Sequence, residues 1–339
     1  MKQRLLLFAL LPVLAAAGIG WLGWQEARRE LQIPLTTTGT QVFAVRPGTS
    51  LRGFADELAA RGWMAHPWIL AVEGRRLGIA HSIRAGEYEV TPGMTPRGLL
   101  DAVVSGRVVQ HQLTLVEGWT FDRAMQAVDA SPMLVHTLGT RDQRRVMAAI
   151  GFAGYFAEGR LFPDTYRFPR GTTDAEFLRR AFLSMQEVVE AEWVTRLVGL
   201  PYENPYQALI MASLIERETA VPAERTRIAG VFVRRLTLNM KLQTDPTVIY
   251  ALGADYDGNL RRDDLSVDSP YNTYVHAGLP PTPIALPGRD SIRAALQPEA
   301  GAALYFVARG DGSHEFSATL AGHNRAVQKY QLRRDPGAQ

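Results

Sequence analysis

Asn204-Pro205-Tyr206-Gln207-Ala208-Leu209-Ile210-Met211-Ala212-Ser213-Leu214-Ile215-Glu216-Arg217-Glu218-Thr219 is the most telling helix of the chain. Asn204 offers a side-chain oxygen as the cap, and Pro205 fits the first helical position, where no backbone N–H is needed. The following run is mostly apolar until it ends in Glu216, Arg217 and Glu218. At about 100° per residue, Glu216 shares its face with Leu209, Ala212, Ser213, Thr219 and Ala220. Glu218 lies about 200° away, beside Met211 and Leu214, so the two carboxylates do not pair on one face. Small neighbours predict space around Glu216. A carboxyl held against an apolar helix has its charged form disfavoured, which suits a general acid. The same position suits a structural ion pair with Arg217, Arg225 or Arg227, and helix geometry alone leaves both open.

Outward from this helix, Pro222 starts a second one bearing Ile228, Val231 and Phe232. Upstream, the spacing of Phe177, Ala181, Phe182 and Met185 predicts another helix, and the chain reads as more helical from about Glu117 onward. The C-terminal part is loop-rich, divided by Pro270, Pro280, Pro281, Pro283, Pro287 and Pro298, with a short buried strand at 303–308. Nearer the N-terminus, residues 47–56 and 92–101 resemble each other. Each follows a β-type run (42–45; 87–90), turns at Pro-Gly, and has Ser50 or Thr95 to cap a helix that reaches Gly62 or Gly106. Residues 108–115 are the next strand candidate, after which Gly118 and Thr120 open another helix. This order suits a small module of strand, helix, helix and strand. It resembles the LysM-like module, a peptidoglycan-binding fold, although such caps occur in any fold.

Lys2 and Arg4 precede an apolar or small-residue run over residues 5–24. At ~1.5 Å per residue the run reaches ~30 Å, the hydrocarbon thickness of a bilayer. Trp21 and Trp24 at its far end suit a membrane–water interface. Residues 5–24 are therefore expected to be an uncleaved transmembrane helix with residues 1–4 cytoplasmic. A cleaved signal peptide ending at Ala15-Ala16-Ala17 is the alternative. Residues 25–41, with Thr36-Thr37-Thr38, read as a linker. The expected fold is α+β: a single N-terminal transmembrane helix, a LysM-like α/β module at 42–114, and a mixed α+β catalytic domain at 115–332.

Composition narrows the function classes. The 339 residues are 46% hydrophobic and 21% charged, the balance of a folded globular protein. The net charge is +3 and the arginine pairs at 28–29, 179–180 and 234–235 are scattered, so no nucleic-acid partner is expected. The absence of cysteine excludes disulfides, thiol nucleophiles and cysteine zinc sites. His314 and His323, nine positions apart, match no metal-helix spacing, so neither metal nor cofactor is expected. No nucleophile elbow or phosphate-binding glycine loop is present.

Five ordered blocks are specific. They are Ala212-Ser213-Leu214-Ile215-Glu216-Arg217-Glu218-Thr219; residues 158–166, Glu-Gly-Arg-Leu-Phe-Pro-Asp-Thr-Tyr; and residues 242–250, Leu-Gln-Thr-Asp-Pro-Thr-Val-Ile-Tyr. Tyr271-Asn272-Thr273-Tyr274 follows, with Gly278-Leu279-Pro280-Pro281 and Ile284; then His314-Glu315-Phe316 with Thr319 and His323-Asn324. Together they resemble the endolytic murein transglycosylase family, also called YceG-like, over roughly residues 40–330. Arg217 stands where the family often has Lys.

The resemblance implies a lytic transglycosylase that cleaves the β-1,4 bond between N-acetylmuramic acid and N-acetylglucosamine in peptidoglycan. It leaves 1,6-anhydro-N-acetylmuramic acid ends and terminates nascent glycan strands. Glu216 would be the catalytic acid and base. Gln243, Asp245, Tyr271, Asn272, Thr273, Phe316 and Asn324 would be candidates for binding the sugars, each open to a plain structural role. Asp245 before Pro246, for example, also suits a helix start. The implied setting is the bacterial inner membrane, single-pass, with the catalytic domain in the periplasm. The implied partners are glycan strands, the inner membrane, the peptidoglycan synthases and the division machinery. The alternative is a non-catalytic peptidoglycan-binding membrane protein whose LysM-like module makes all the contacts.

Overall fold

A computed structural model describes residues 2–332 of the chain, with side chains from residue 16 onward. In chain order the elements are α1 (Lys2–Arg29), β1 (Gln41–Val45), α2 (Leu51–Ala60), α3 (Pro67–Arg76), β2 (Gly86–Val90) and α4 (Pro96–Ser105). Then come β3 (His111–Thr114), α5 (Phe121–Asp129), α6 (Gln143–Ala149), β4 (Thr165–Phe168), α7 (Asp174–Val194) and α8 (Pro205–Glu218). Last are α9 (Arg225–Thr237), α10 (Asp245–Leu252), α11 (Arg289–Leu296), β5 (Tyr305–Ala308), β6 (His314–Ser317) and α12 (Leu320–Val327). The fold is mixed α+β. The chain divides into two compact units, Met1–His111 with Arg167–Gly171, and Gln112–Tyr166 with Thr172–Gln339.

In the first unit β1 and β2 pair antiparallel with Phe43 opposite Tyr88. Their alternation turns Phe43, Val45, Tyr88 and Val90 inward. These residues meet Phe54 and Leu58 of α2, Leu70 of α3 and Leu99 of α4 in one core. Phe43 and Phe54 pack edge to face at 5.6 Å. Ser50 accepts from the Gly53 N–H and Thr95 from the Gly98 N–H, so both helices start where their caps predict. Gly106 ends α4 with φ 73°, a left-handed conformation that glycine adopts without steric cost.

The second unit is built around α8. Asn204 caps it by accepting from the Gln207 N–H at 3.1 Å, and every residue from Ala208 to Ile215 is buried. A helix apolar on all sides belongs in the middle of a fold. Here α7, α9, α10 and α11 pack around it. Leu209, Met211, Leu214 and Ile215 join Ile228 and Phe232 of α9 and Ile292 of α11 in the core. The antiparallel β5–β6 hairpin lies against α9 through Phe232 and Phe306, 5.8 Å apart.

The expected transmembrane helix is not borne out. Among the described residues no helix is long and apolar enough to cross a membrane. That finding overturns the inner-membrane, single-pass placement and the periplasmic assignment that depended on it. The side chains of residues 1–15 lie outside the described ones. Of the features read as interfacial, Trp24 packs against the first unit's core and lies 6.4 Å from the Trp68 ring. Arg28 pairs with Glu73 at 3.0 Å. An indole and a guanidinium engaged with their own domain are not free to mark a membrane boundary.

Candidate active site

The last turn of α8 sends Glu216 and Glu218 into different surroundings. On one side the chain at 284–288 lies along the helix. The Ile284 N–H donates to Ser213 Oγ at 3.0 Å and the Gly288 N–H to Glu216 Oε2 at 3.0 Å. Ser213 and Glu216 are three residues apart, so one helix face receives both amides. The small side chains of this face thus admit a neighbouring backbone, leaving the Glu216 side chain only 6% exposed. Arg225 Nη2 lies 3.8 Å from Glu216, and the same guanidinium lies within 3.9 Å of Glu117 and 3.7 Å of Asp290. Burial, and then repulsion by Glu216, raise the Glu117 carboxyl above its ordinary pKa. A Cβ at Gly288 would fall 1.9 Å from Glu117 Oε1, so a side chain there would have to displace that half-exposed carboxylate.

On the other side Glu218 lines a cavity of about 440 Å³. The residue is half-buried in the cavity wall, and Thr244 Oγ1 donates to Oε2. Burial pushes the carboxyl up to about 7; the Thr244 hydrogen bond opposes this, the Asp245 charge adds to it, and His314 and Arg235 oppose it. Asp245, the other carboxylate of this cavity, accepts from the Tyr274 hydroxyl at 2.6 Å. Gln243 also lines it, with a positive φ of 52° that L residues seldom adopt. The buried Arg235 guanidinium donates to the carbonyls of Lys241, Leu242 and Leu304 and to Gln243 Oε1. His314 is fixed by Glu224, which accepts the His314 N–H at 2.9 Å and lies 2.7 Å from Nδ1. His323 stacks on Tyr305 at 5.3 Å, and burial lowers its pKa.

Of the residues expected to bind sugar, Gln243 and Asp245 reach this cavity and the others do not line it. Asn272 is fully buried, donating to the Leu265 and Val267 carbonyls while its Oδ1 accepts the Tyr274 N–H. Thr273 Oγ1 accepts from the Thr244 N–H at 3.1 Å and lies 2.9 Å from Thr247 Oγ1. These two residues brace the loops that carry Tyr274 and Asp245. The Tyr271 hydroxyl meets Thr282 at 2.9 Å, and its ring lies 4.9 Å from Tyr250. Phe316 packs on Phe306, with the Arg227 guanidinium 4.1 Å above its ring. Asn324 is exposed on α12. The cavity is also lined by Glu218, Tyr274, Tyr305, His314, His323 and Arg235, none of which the sequence put forward as a site residue. All but Tyr305 and Arg235 stand within the blocks quoted above, so their signal was present but not ranked. Among the described residues no three His, Asp or Glu side chains gather as a metal site requires.

Residues 43–329 match the model of the YceG-like family. An endolytic murein transglycosylase of Bacillus subtilis (strain 168) is 44% identical over 177 residues, covering 51% of this chain and 48% of that protein. One of Streptococcus pneumoniae serotype 2 is 26% identical over an aligned length of 372 residues, covering 97% of this chain and 65% of that protein. The chain thus spans about half of the first relative's length and just under two thirds of the second's. A crystal structure of a yceG-like protein from Listeria monocytogenes superposes with a TM-score of 0.54 at 29% identity, covering 85% of this chain and 99% of that one.

Proposed function

Because the chain belongs to the YceG-like family, we propose that it is an endolytic lytic transglycosylase of peptidoglycan, with Glu218 rather than Glu216 as its acid and base. The observation that carries this reading is the Glu218 carboxyl, set in the wall of a cavity of about 440 Å³ and pushed up to about 7. A general acid works best with a pKa near the working pH. Glu216, by contrast, is committed to an amide and an arginine.

In the proposed reaction Glu218 gives its proton to the glycosidic oxygen between N-acetylmuramic acid and N-acetylglucosamine, and the C1–O bond breaks. The C6 hydroxyl oxygen of the same muramic acid then bonds to C1, and its proton passes to the Glu218 carboxylate. The acid is regenerated, a 1,6-anhydro end is left and no water is consumed. Asp245, whose carboxylate accepts from the Tyr274 hydroxyl, would stabilise positive charge that develops at C1. Gln243 and His323 offer hydrogen bonds to hydroxyl and acetamido groups. The order β1–α2–α3–β2 supports a LysM-like role for the 42–114 module, which would give the strand a second hold.

Mass spectrometry of products from purified glycan strands tests this. The full chain should leave ends lighter than hydrolysed ones by one water. Glu218→Gln should lose activity by ~10²–10⁴-fold or more, since one residue serves both proton steps. Glu216→Gln, which keeps an acceptor for Gly288, should retain most turnover. A folded Glu218→Gln protein with near-normal turnover would sink the assignment, and reducing ends would replace the transglycosylase with a hydrolase.

A further inference from the structure

A second cavity, of about 750 Å³, opens in the same unit and is lined by Trp119, Gln143, Glu158, Arg217, Ile249 and Tyr250 among others. Nothing in the proposed chemistry uses it. Its position relative to the first cavity follows from the chain. Arg217 lines the second and Glu218 the first; Pro246 lines the second and Asp245 the first. Adjacent residues line the two openings at two separate places, so the cavities are neighbours across the end of α8 and the start of α10.

The wall chemistry is amphipathic. The Leu286 N–H donates to the Trp119 carbonyl at 2.7 Å, and the Gly118 N–H donates to the Leu286 carbonyl at 2.9 Å, which fixes the backbone that presents the indole. Arg123 lies 5.4 Å from the Trp119 ring. Arg217 reaches the Gly118 carbonyl at 3.2 Å. Glu158 is 3% exposed and accepts from the Phe121 N–H at 2.9 Å and from the Tyr250 hydroxyl at 3.0 Å. Gln143 accepts from the Ala157 and Glu158 amides at 3.2 Å each. A fixed aromatic face beside hydrogen-bonding groups that are themselves held in place suits a ligand with an apolar face and a rim of hydroxyl and amide groups. An N-acetylated sugar has that shape.

We infer that the Trp119 cavity is a non-catalytic saccharide subsite that holds the continuing glycan strand next to the bond being cut. The inference rests on the glycan reading of the Glu218 cavity. It deepens that reading by naming where a polymer, rather than a disaccharide, is gripped.

The test separates binding from turnover. The full chain carrying Glu218→Gln is titrated with N-acetylglucosamine hexasaccharide by calorimetry, alone and combined with Trp119→Ala, Trp119→Tyr or Ile249→Trp. Trp119→Ala should weaken binding about tenfold, the amount expected for one well-placed aromatic face. Trp119→Tyr should restore most of it, and Ile249→Trp, which fills the cavity from α10, should weaken it like the alanine. Unchanged affinity in Trp119→Ala, or in Ile249→Trp, overturns the subsite. Failure of the catalytic reading has a separate signature: absence of anhydro products from the protein without Glu218→Gln, whatever the hexasaccharide affinities.

Discussion

Glu216 turns its carboxyl to the Gly288 amide and the Arg225 guanidinium, while Glu218 has a hydroxyl donor and a second carboxylate beside it. The Asp245 charge helps hold Glu218 protonated, so Asp245→Asn should lower the Glu218 pKa. The alkaline limb of kcat/KM, expected near pH 7 in the unaltered protein, should then move to lower pH, read from the full pH–rate profile. A limb that stays in place would remove Asp245 from the electrostatics of the acid. The helical period made the opposition of the two carboxylates legible in the sequence. It could not say which face opens to a ligand. The small residues around Glu216, read as leaving space around its carboxylate, admit the backbone of 284–288. That pairing joins residues more than seventy positions apart, as the 72-residue separation of Gly288 from Glu216 shows, and leaves no local periodic trace.

At the scale of elements, the caps were the most readable features. Asn204, Ser50, Thr95 and Thr120 each accept from the amide three residues on, as their side chains predict. Local hydrogen bonds of this kind depend on neighbours in sequence. The 284–288 segment was harder to read because its geometry depends on Glu117 and α8. Its tightest point is Gly288. Gly288→Ala would push a methyl against the Glu117 carboxylate, the far end of a half-exposed side chain, so the cost should sit at the low end of overpacking, about 1 kcal/mol. We expect a lower Tm, recovered in part by adding Glu117→Ala, which clears the space. An unchanged Tm for Gly288→Ala would show that the Glu117 carboxylate swings aside without cost.

At the scale of the whole molecule, two buried acids act in the same direction. Glu158 and Glu218 are each pushed up to about 7, chiefly by burial, from the ordinary 4.5. The folded state therefore holds more protons than the unfolded state between those pH values, and stability falls as pH rises through that window. The loss is at most roughly 3 kcal/mol for each group. Asp174 has the opposite sign. Four hydrogen bonds from Thr137 and Leu138 outweigh its burial, its carboxyl is lowered below 3.8, and its contribution is lost as pH falls through the acid range. Tm should peak between these limbs. The double variant Glu158→Gln with Glu218→Gln should flatten the neutral-side decline while keeping the acid-side one. If the decline persists in that variant, other groups set it.

Arg235 adds a consequence for motion. One guanidinium is bonded to the carbonyls of Lys241, Leu242 and Leu304, so it ties the floor of the Glu218 cavity to its β5 side. Backbone tethered through a rigid planar fork has little freedom to close around a guest. In the proposed reaction, the strain of reaching an oxocarbenium-like geometry would then fall on the sugar ring rather than on this braced backbone.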